Sequence, residues 1–175
     1  RNLQDCLNKG KSTVFFSGTF LPLPYYRSLF SMREDDYAIY ANSPFPREHL
    51  KLLVARDVSS KYTRRDVAEY EKMAEYILQM LLGKKGNYLV FFPSYRMMED
   101  ISQILEEKLE KNNSKVRCLY QTPSMSEQER EEFLEKFQEE GEETLAGFCV
   151  MGGIFSEGID LAGKKLIGAA IVGTG

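Results

Sequence analysis

Apolar and polar positions repeat with the period of an amphipathic helix in three stretches of the chain. The first begins after Thr63, a candidate helix cap, and ends at Gly83. The second begins at Ser94, another candidate cap, and the third begins at Ser126, which forms a capping box with Glu129. The pattern therefore predicts three helices, each with one apolar face.

Uninterrupted apolar runs lie between and after these helices and predict strands that are buried on both faces. The runs cover residues 88–92, 116–120, 145–150 and 166–172. Such strands, alternating with amphipathic helices, are typical of a parallel sheet covered on both sides. The predicted fold class is therefore α/β, a doubly wound and mainly parallel sheet with helices on both faces. Further candidate strands are the apolar runs at 14–16, 37–40 and 50–54.

The composition is that of a soluble globular protein, with 43% hydrophobic and 28% charged residues in a chain of 175. No apolar run reaches the ~18 residues of a membrane span, and no signal peptide is visible. Three separated cysteines without a C-x-x-C pair indicate reduced thiols, and we expect a cytoplasmic protein. His49 is the one histidine of the sequence, which argues against a histidine-rich metal site and against a catalytic Ser-His pair. The chain begins with Arg1 and stops after an apolar run, so we expect both ends to be cuts in a longer chain.

Charge is unevenly distributed, although the net charge is only −3. Six basic and two acidic residues lie between Arg47 and Arg65, whereas nine glutamates and two basic residues lie between Ser126 and Glu143. The acidic stretch is typical of a solvated helix face. The basic stretch is either scattered solubility charge or a local attraction for an anion, since the net charge argues against nucleic-acid binding by overall charge.

Polar residues follow the predicted strands at their carboxyl ends, where ligands sit in doubly wound sheets. These places are residues 17–19, 94–96, 121–122 and the loop after Val150. Three glycines in that loop, residues 151–160, let the backbone approach a ligand closely. Its polar side chains are Ser156, Glu157 and Asp160. A glycine-rich turn at a sheet edge is the structural alternative.

Residues at two other strand ends have chemistry suited to a polynucleotide. Ser94 stands at a helix start, where unpaired N–H groups favour an anion such as phosphate. Tyr95 offers a ring on which a base can stack, and Gln121 and Thr122 suit backbone phosphates. The alternatives are plain helix capping for Ser94, a half-buried aromatic for Tyr95 and ordinary turn chemistry for the other two.

Five motifs, in order, resemble those of the XPD/DinG branch of superfamily 2 helicases. Residues 91–95, Phe-Phe-Pro-Ser-Tyr, resemble its fourth motif, and residues 152–160, with Ser-Glu-Gly-Ile-Asp, resemble its fifth. Residues 17–20 resemble the third motif, with Gly18 where the family usually has alanine. The other two stretches that read like the family are 43–46 and 59–65.

The resemblance implies a RecA-like domain of the P-loop NTPase type, the second motor domain of an ATP-dependent DNA helicase with 5′-to-3′ polarity. It assigns residues 1–20 to the end of the first motor domain and 21–175 to the second, truncated before the sixth motif. The phosphate-gripping motif, the acidic metal-binding motif and the cysteines of a possible iron–sulfur cluster would precede Arg1. The implied cofactors of the intact protein are ATP and Mg²⁺. The implied partners are single-stranded DNA and the first motor domain, and DNA repair is the usual family association.

The resemblance also implies roles for single residues. Those implied at the interface between motor domains, near the nucleotide ribose, are Gly153, Ser156, Glu157, Gly158 and Asp160. Those implied to link hydrolysis to DNA binding are Ser17 and Thr19. Those implied to contact DNA are Ser94, Tyr95, Gln121 and Thr122, with electrostatic help from Lys61 and Arg65.

The chain by itself has no G-x-x-x-x-G-K-[ST] loop and no G-x-G-x-x-G fingerprint. We therefore expect it to be inactive towards ATP and to bind single-stranded DNA only weakly, in a salt-sensitive way. The apolar run 14–16 would belong to the first motor domain. Because an exposed apolar strand invites pairing, we expect this run to pair with another sheet edge or to exchange between copies of the chain.

Two other interpretations stay open at this point. A non-enzymatic nucleotide- or phosphate-binding module of doubly wound type explains the α/β pattern and the glycine-rich loop. This interpretation assigns no role to Ser94, Tyr95 or the basic stretch. A small-molecule enzyme with Glu157 and Asp160 as acid and base is the other alternative, although carboxylates in such a turn are more often turn residues.

Overall fold

The structure is a computed structural model and describes residues 2–30, 36–139, 141–156 and 158–173. Contacts divide the chain into two compact units, Arg1–Leu52 and Leu53–Gly175. No helix within the described ranges is long and apolar enough to cross a bilayer.

The first unit contains two short helices in the residues that the structure describes, α1 (Asn2–Leu7) and α2 (Leu23–Phe30). A 3₁₀ turn follows at Arg47–His49. Aromatic rings pack against one another in this unit. The ring of Phe15 stacks on that of Phe30 with centroids 4.3 Å apart, and the ring of Phe20 meets that of Phe30 edge-on with centroids 5.3 Å apart.

The predictions of strands at 14–16, 37–40 and 50–54 are wrong, because none of these runs pairs with a strand in the described structure. A strand obtains its backbone hydrogen bonds only from a neighbour, and an isolated apolar run has none to gain. Val14 and Phe16 are 81% and 89% exposed, and the expected pairing of this run with a sheet edge is not found among the residues that the structure describes. Phe15 is committed to Phe30 instead. Exchange between copies of the chain stays a prediction.

The second unit alternates helices and strands as the sequence pattern predicts. Its helices are α3 (Val67–Gly83), α4 (Tyr95–Lys111) and α5 (Glu127–Glu135). Its strands are β1 (Asn87–Phe92), β2 (Val116–Tyr120), β3 (Thr144–Val150) and β4 (Gly168–Ile171). Short 3₁₀ turns lie at Tyr62–Arg64 and Gly163–Lys165. The strands pair in parallel in the order β2-β3-β1-β4, with β1 and β3 at the centre.

Helices cover both faces of this sheet. Alternate residues of β1, such as Val90 and Phe92, pack in one cluster with the apolar faces of α3 and α4. The intervening Leu89 packs in a second cluster with Phe133 of α5 and with Phe137. The doubly wound α/β fold with a parallel sheet is thus confirmed.

The helix starts follow the sequence with one exception. Ser94 accepts a hydrogen bond from the Met97 amide at 3.3 Å, and Ser126 forms the predicted capping box that opens α5. Thr63 does not cap α3, because it lies inside the preceding 3₁₀ turn. Asp66 is the cap, and its Oδ1 accepts from the Glu69 amide at 2.8 Å.

Candidate functional site

The four strands run in parallel, so their carboxyl ends and the loops that follow lie at one edge of the sheet. We call this edge, with the residues after β1, β2, β3 and β4, the carboxyl edge. The 59–65 segment reaches the same edge, because the Ser60 side chain lies against Gly173 just after β4. Gly173 has a φ of +87°, and a Cβ placed there would clash with the Ser60 hydroxyl. The 59–65 segment, which we call the basic segment, therefore lies next to the residues that follow β4.

Gln121 directly follows β2, an outer strand of the sheet, so it lies at the side of the carboxyl edge opposite β4. Its side chain is buried, with 3% of the residue exposed, and both ends of its amide are bonded. Oε1 accepts from the Val150 amide at 2.8 Å, and Nε2 donates to Tyr95 Oη at 2.9 Å. The expectation that this side chain contacts a phosphate does not fit its position. The side chain is buried, and both polar atoms of its amide already have hydrogen-bond partners within the protein.

Tyr95 and Thr122 flank Gln121 on its outer side. Tyr95 is half-buried at the start of α4, and its Oη donates to the Thr122 carbonyl at 3.3 Å. Thr122 is exposed. Ser94 is half-buried, and its hydroxyl caps α4, which is the helix-capping role named above as the alternative to phosphate binding. Tyr95, which is distant in sequence, is thus brought into one bonded group with the adjacent residues Gln121 and Thr122.

The glycine-rich loop, residues 151–160, begins at the end of β3 and folds back beside Gln121. Gly152 and Gly158 have φ values of +73° and +70°, in the left-handed region that favours glycine. A Cβ at Gly153 would lie 2.8 Å from Gln121 Nε2, so this approach requires a residue without a side chain. Phe155 anchors the loop, because it is buried with its ring centroid 4.5 Å from that of Phe133.

The polar residues of this loop that the structure describes, Ser156 and Asp160, face solvent. Ser156, Gly158 and Asp160 are all exposed, and the Ser156 amide donates to the Gly153 carbonyl at 3.0 Å. Glu157 lies outside the described residues. The loop therefore combines a fixed backbone with exposed hydroxyl and carboxylate groups.

Arg130 of α5 holds the glycine-rich loop from below. Its Nε donates to the Ile154 carbonyl at 3.0 Å and its Nη2 to the Gly158 carbonyl at 3.2 Å. Nη1 pairs with Glu127 at 3.0 Å, and only 15% of the arginine side chain is exposed. One guanidinium thus bridges two carbonyls of the loop and fixes their separation.

Replacing Arg130 with alanine is expected to loosen the loop while leaving the sheet intact. The bonds lost come from a charged donor and contribute about 1.5–3 kcal/mol, so hydrogen exchange at the Ser156 amide should speed up by about tenfold. The control is Glu127→Ala, which removes the ion-pair partner but neither loop contact. Equal exchange rates in wild type and Arg130→Ala would contradict the bridging role.

A buried carboxylate, Glu69, fixes the 59–65 segment to α3. The side chain is 7% exposed; Oε1 pairs with Arg64 at 2.5 Å, and Oε2 accepts from the Ser59 amide at 3.0 Å. Burial alone would raise the pKa of Glu69, but the hydrogen bonds from Arg64 and Ser59 outweigh it and hold this pKa below its ordinary value. The segment is thereby anchored through an ionised group.

Lys61 and Arg65 lie in this anchored segment and are both exposed. The Arg65 Nε donates to the Ser60 carbonyl at 2.9 Å, and its guanidinium lies 5.7 Å from the centre of the Tyr62 ring. Ser60 joins this segment to Gly173, so both cations belong to the neighbourhood of the carboxyl edge at its β4 side.

Ser17 and Thr19 belong to the first unit and are exposed there. Their hydroxyls are 3.0 Å apart, and Ser17 Oγ also accepts from the Thr19 amide at 3.1 Å. Within the described ranges, no group of three histidine, cysteine or carboxylate side chains is arranged to hold a metal ion.

Sequence reasoning missed two residues that shape this site, Arg130 and Glu69. The charge of the acidic stretch predicts a solvated face, yet Arg130 is three and four positions before Phe133 and Leu134, which point inward. That spacing puts it on the inner face of α5 and was a readable signal. Glu69 stands three residues after the Asp66 cap, but nothing in the sequence signals its bonds to Ser59 and Arg64.

Comparison with known proteins relates more than half of the chain to one family. Residues 77–175 match the family described as helicase C-terminal domain. The chain is 31% identical over 131 residues to a probable ATP-dependent helicase, MJ0942, of Methanocaldococcus jannaschii, covering 74% of this chain and 19% of that protein. It is 28% identical over 114 residues to the ATP-dependent DNA helicase XPD of Sulfolobus acidocaldarius, covering 62% of this chain and 21% of that protein.

Among solved structures, an apo structure of XPD is similar with a TM-score of 0.49 and 23% sequence identity. The similarity covers 67% of this chain and 22% of that chain. The chain therefore spans about a fifth of the length of the relatives that it matches.

Proposed function

Because the chain belongs to the helicase C-terminal domain family, within the XPD/DinG group, we propose that it is the second motor domain of a longer ATP-dependent 5′-to-3′ DNA helicase. The observation that carries the proposal is the carboxyl edge itself. There, an aromatic ring and a glycine-rich loop, widely separated in sequence, meet around one buried glutamine, and a basic segment reaches the β4 side of the same edge. Such an edge is where open α/β sheets bind their ligands.

The DNA-facing side of this proposal consists of Tyr95, Thr122, Lys61 and Arg65. The half-buried ring of Tyr95 suits base stacking, and the exposed cations at the β4 side of the same edge suit phosphates. Ser94 contributes through the amino end of α4, since its hydroxyl is used by the cap. Gln121 supports Tyr95 from behind rather than contacting DNA, because its side chain is buried and bonded.

The nucleotide-facing side consists of residues in the glycine-rich loop. ATP, with Mg²⁺, supplies the phosphoryl group whose transfer drives movement. Gly153 and Gly158 let the loop backbone approach the nucleotide, and the exposed hydroxyl of Ser156 and carboxylate of Asp160 fit ribose or interface contacts. Glu157 has the same assignment on the resemblance alone. Ser17 and Thr19 would transmit hydrolysis to the DNA side in the intact protein.

The proposal assigns residues 1–20 to the first motor domain and 21–175 to the second, whereas contacts divide the chain after Leu52. It also includes a cytoplasmic location and a role in DNA repair. The chain itself has no phosphate-gripping G-x-x-x-x-G-K-[ST] loop, so we expect ATP turnover only in the longer protein.

The activity is tested in the longer protein by measuring ATP hydrolysis with and without single-stranded DNA, and unwinding of duplexes with a 5′ or a 3′ tail. Stimulation by DNA and unwinding of the 5′-tailed duplex are expected. A protein that binds ATP without DNA-stimulated hydrolysis would instead favour a nucleotide-binding module.

Tyr95→Ala is expected to weaken binding of the chain to labelled oligothymidylate by about tenfold, because stacking contributes about 1–3 kcal/mol per base. Tyr95→Phe keeps the ring and should bind within about twofold of wild type. Fluorescence anisotropy at two salt concentrations measures both variants. Tyr37→Ala removes a tyrosine that is 97% exposed in the first unit and serves as control. Binding that is insensitive to salt, or unchanged in Tyr95→Ala, would contradict this assignment.

A further inference from the structure

We infer that Gln121 is a positioning residue that couples the DNA side of the carboxyl edge to the glycine-rich loop. The inference rests on the proposed function and deepens it, since it names the contact through which the two sides communicate. Tyr95 lies on one side of the amide and the end of β3 on the other, and Gln121 is bonded to both.

The burial of Gln121 is what makes this link stiff. A buried amide must have its hydrogen bonds satisfied, and here Oε1 takes the Val150 amide while Nε2 takes the Tyr95 hydroxyl. Rotating the amide to favour one partner would remove the other. The orientations of Tyr95 and of the β3 end are therefore tied to each other.

The Tyr95 hydroxyl makes a second contact with the segment that contains Gln121. It accepts from Gln121 and donates to the Thr122 carbonyl at 3.3 Å, so both hydrogen bonds of the hydroxyl are within the site. A base that stacks on the ring and moves it will disturb both bonds. Because the ring and the amide are bonded, the movement reaches Gln121.

Gly153 carries the link from Gln121 into the glycine-rich loop. The glycine packs directly on the amide, with space for no Cβ between them, and its amide donates to the Val150 carbonyl at 3.2 Å. Val150 is the residue whose amide Gln121 holds. A shift of the Gln121 side chain therefore displaces the loop start, and a shift of the loop displaces Gln121.

The coupling is tested in the longer protein with Gln121→Leu and Tyr95→Phe. Leucine matches the volume of glutamine but bonds neither partner, and phenylalanine keeps the stacking ring while cutting the link at its other end. Both variants should lower the stimulation ratio, the ATP turnover with single-stranded DNA divided by that without it, by about tenfold. The control is Gln128→Leu, the same change at an exposed position on α5.

The stimulation ratio distinguishes coupling from a purely structural role of these residues. Loss of folded protein lowers turnover with and without DNA by the same factor and leaves the ratio unchanged, so an unchanged ratio in Tyr95→Phe overturns the coupling. If wild type itself shows no stimulation, the proposed function and the coupling are both overturned. If wild type is stimulated and both variants keep its ratio, the coupling alone is overturned.

Hydrogen exchange in the same longer protein gives a second readout that does not require turnover. Adding oligothymidylate should slow exchange at the amides of Val150 and Gly153 in wild type. In Tyr95→Phe, which still binds DNA, that slowing should be lost. Slowing that persists in Tyr95→Phe would contradict a path through the Gln121 amide.

Discussion

Replacing Gly147 with valine is expected to lower the free energy of unfolding of the second unit by about 3 kcal/mol. Gly147 lies in β3, which is buried along its whole length between β1 and β2. A Cβ there would lie 2.8 Å from Phe137 Cζ and 2.9 Å from both Leu89 Cδ2 and Phe133 Cζ. None of these atoms has free space to move into, because all three residues belong to the core between the sheet and α5.

Thermal unfolding followed by circular dichroism checks this expectation. A loss of that size corresponds to a fall in the melting temperature of about 10 °C for a chain of this length. Gly83→Val is the matched control, because a Cβ at this last residue of α3 meets no atom within 4 Å. Equal melting temperatures for the two variants would mean that Phe133 and Phe137 leave room for a side chain at residue 147, which would contradict the tight packing described here.

Glu69→Gln is expected to release the 59–65 segment and to weaken DNA binding several-fold. Glutamine retains the shape and can still accept from the Ser59 amide, but its amide hydrogens then face the donors of the Arg64 guanidinium. Without this ion pair, Lys61 and Arg65 are no longer held near the carboxyl edge. Anisotropy with labelled oligothymidylate measures the loss, and Glu71→Gln makes the same charge change at an exposed position on α3.

The pH dependence of stability provides an independent test of the same group. The pKa of Glu69 is lowered from an ordinary value of 4.5, so its ionised form is favoured by the folded chain. The stabilisation is complete above the unfolded pKa and is lost as the pH falls through the folded pKa. The difference in melting temperature between wild type and Glu69→Gln should therefore shrink as the pH is lowered below 4.5. A constant difference would show that the charge of Glu69 does not matter.

The second unit was predictable because its local signals agree with its tertiary contacts. The apolar runs in β1 and β3 are buried on both faces, and the periodic faces of α3 and α4 pack on them. The cap at Ser94 and the capping box at Ser126 depend on residues only three positions apart, which a sequence reveals directly. The fold class rests on such short-range patterns.

The first unit was not predictable in the same way, because an apolar run indicates burial but not the partner. Phe15 finds its partner in Phe30 through ring stacking rather than through a backbone ladder. The runs 37–40 and 50–54 have apolar side chains that are largely exposed in the structure. Hydrophobicity alone therefore overstated the number of strands.

The candidate site was predictable in outline and not in detail. The rule that ligands lie at strand ends brought Tyr95, Gln121 and the glycine-rich loop to one edge, as the structure has them. The rule does not say which polar side chain is exposed. Gln121 is bonded to two partners, one at the start of α4 and the other at the end of β3. Side-chain orientation of this kind depends on long-range packing, which spacing along the chain does not encode.

The order of strands in the sheet constrains how this unit is assembled as it is synthesised. β1 and β2 are not neighbours, because β3 lies between them, and β3 follows both along the chain. A chain emerging from the ribosome therefore has no strand pairing available to β1 or β2 until residue 150 is exposed. Until then α3 and α4 have mainly each other to cover their apolar faces, and exposed apolar surface with unpaired strands makes such a nascent intermediate prone to aggregation.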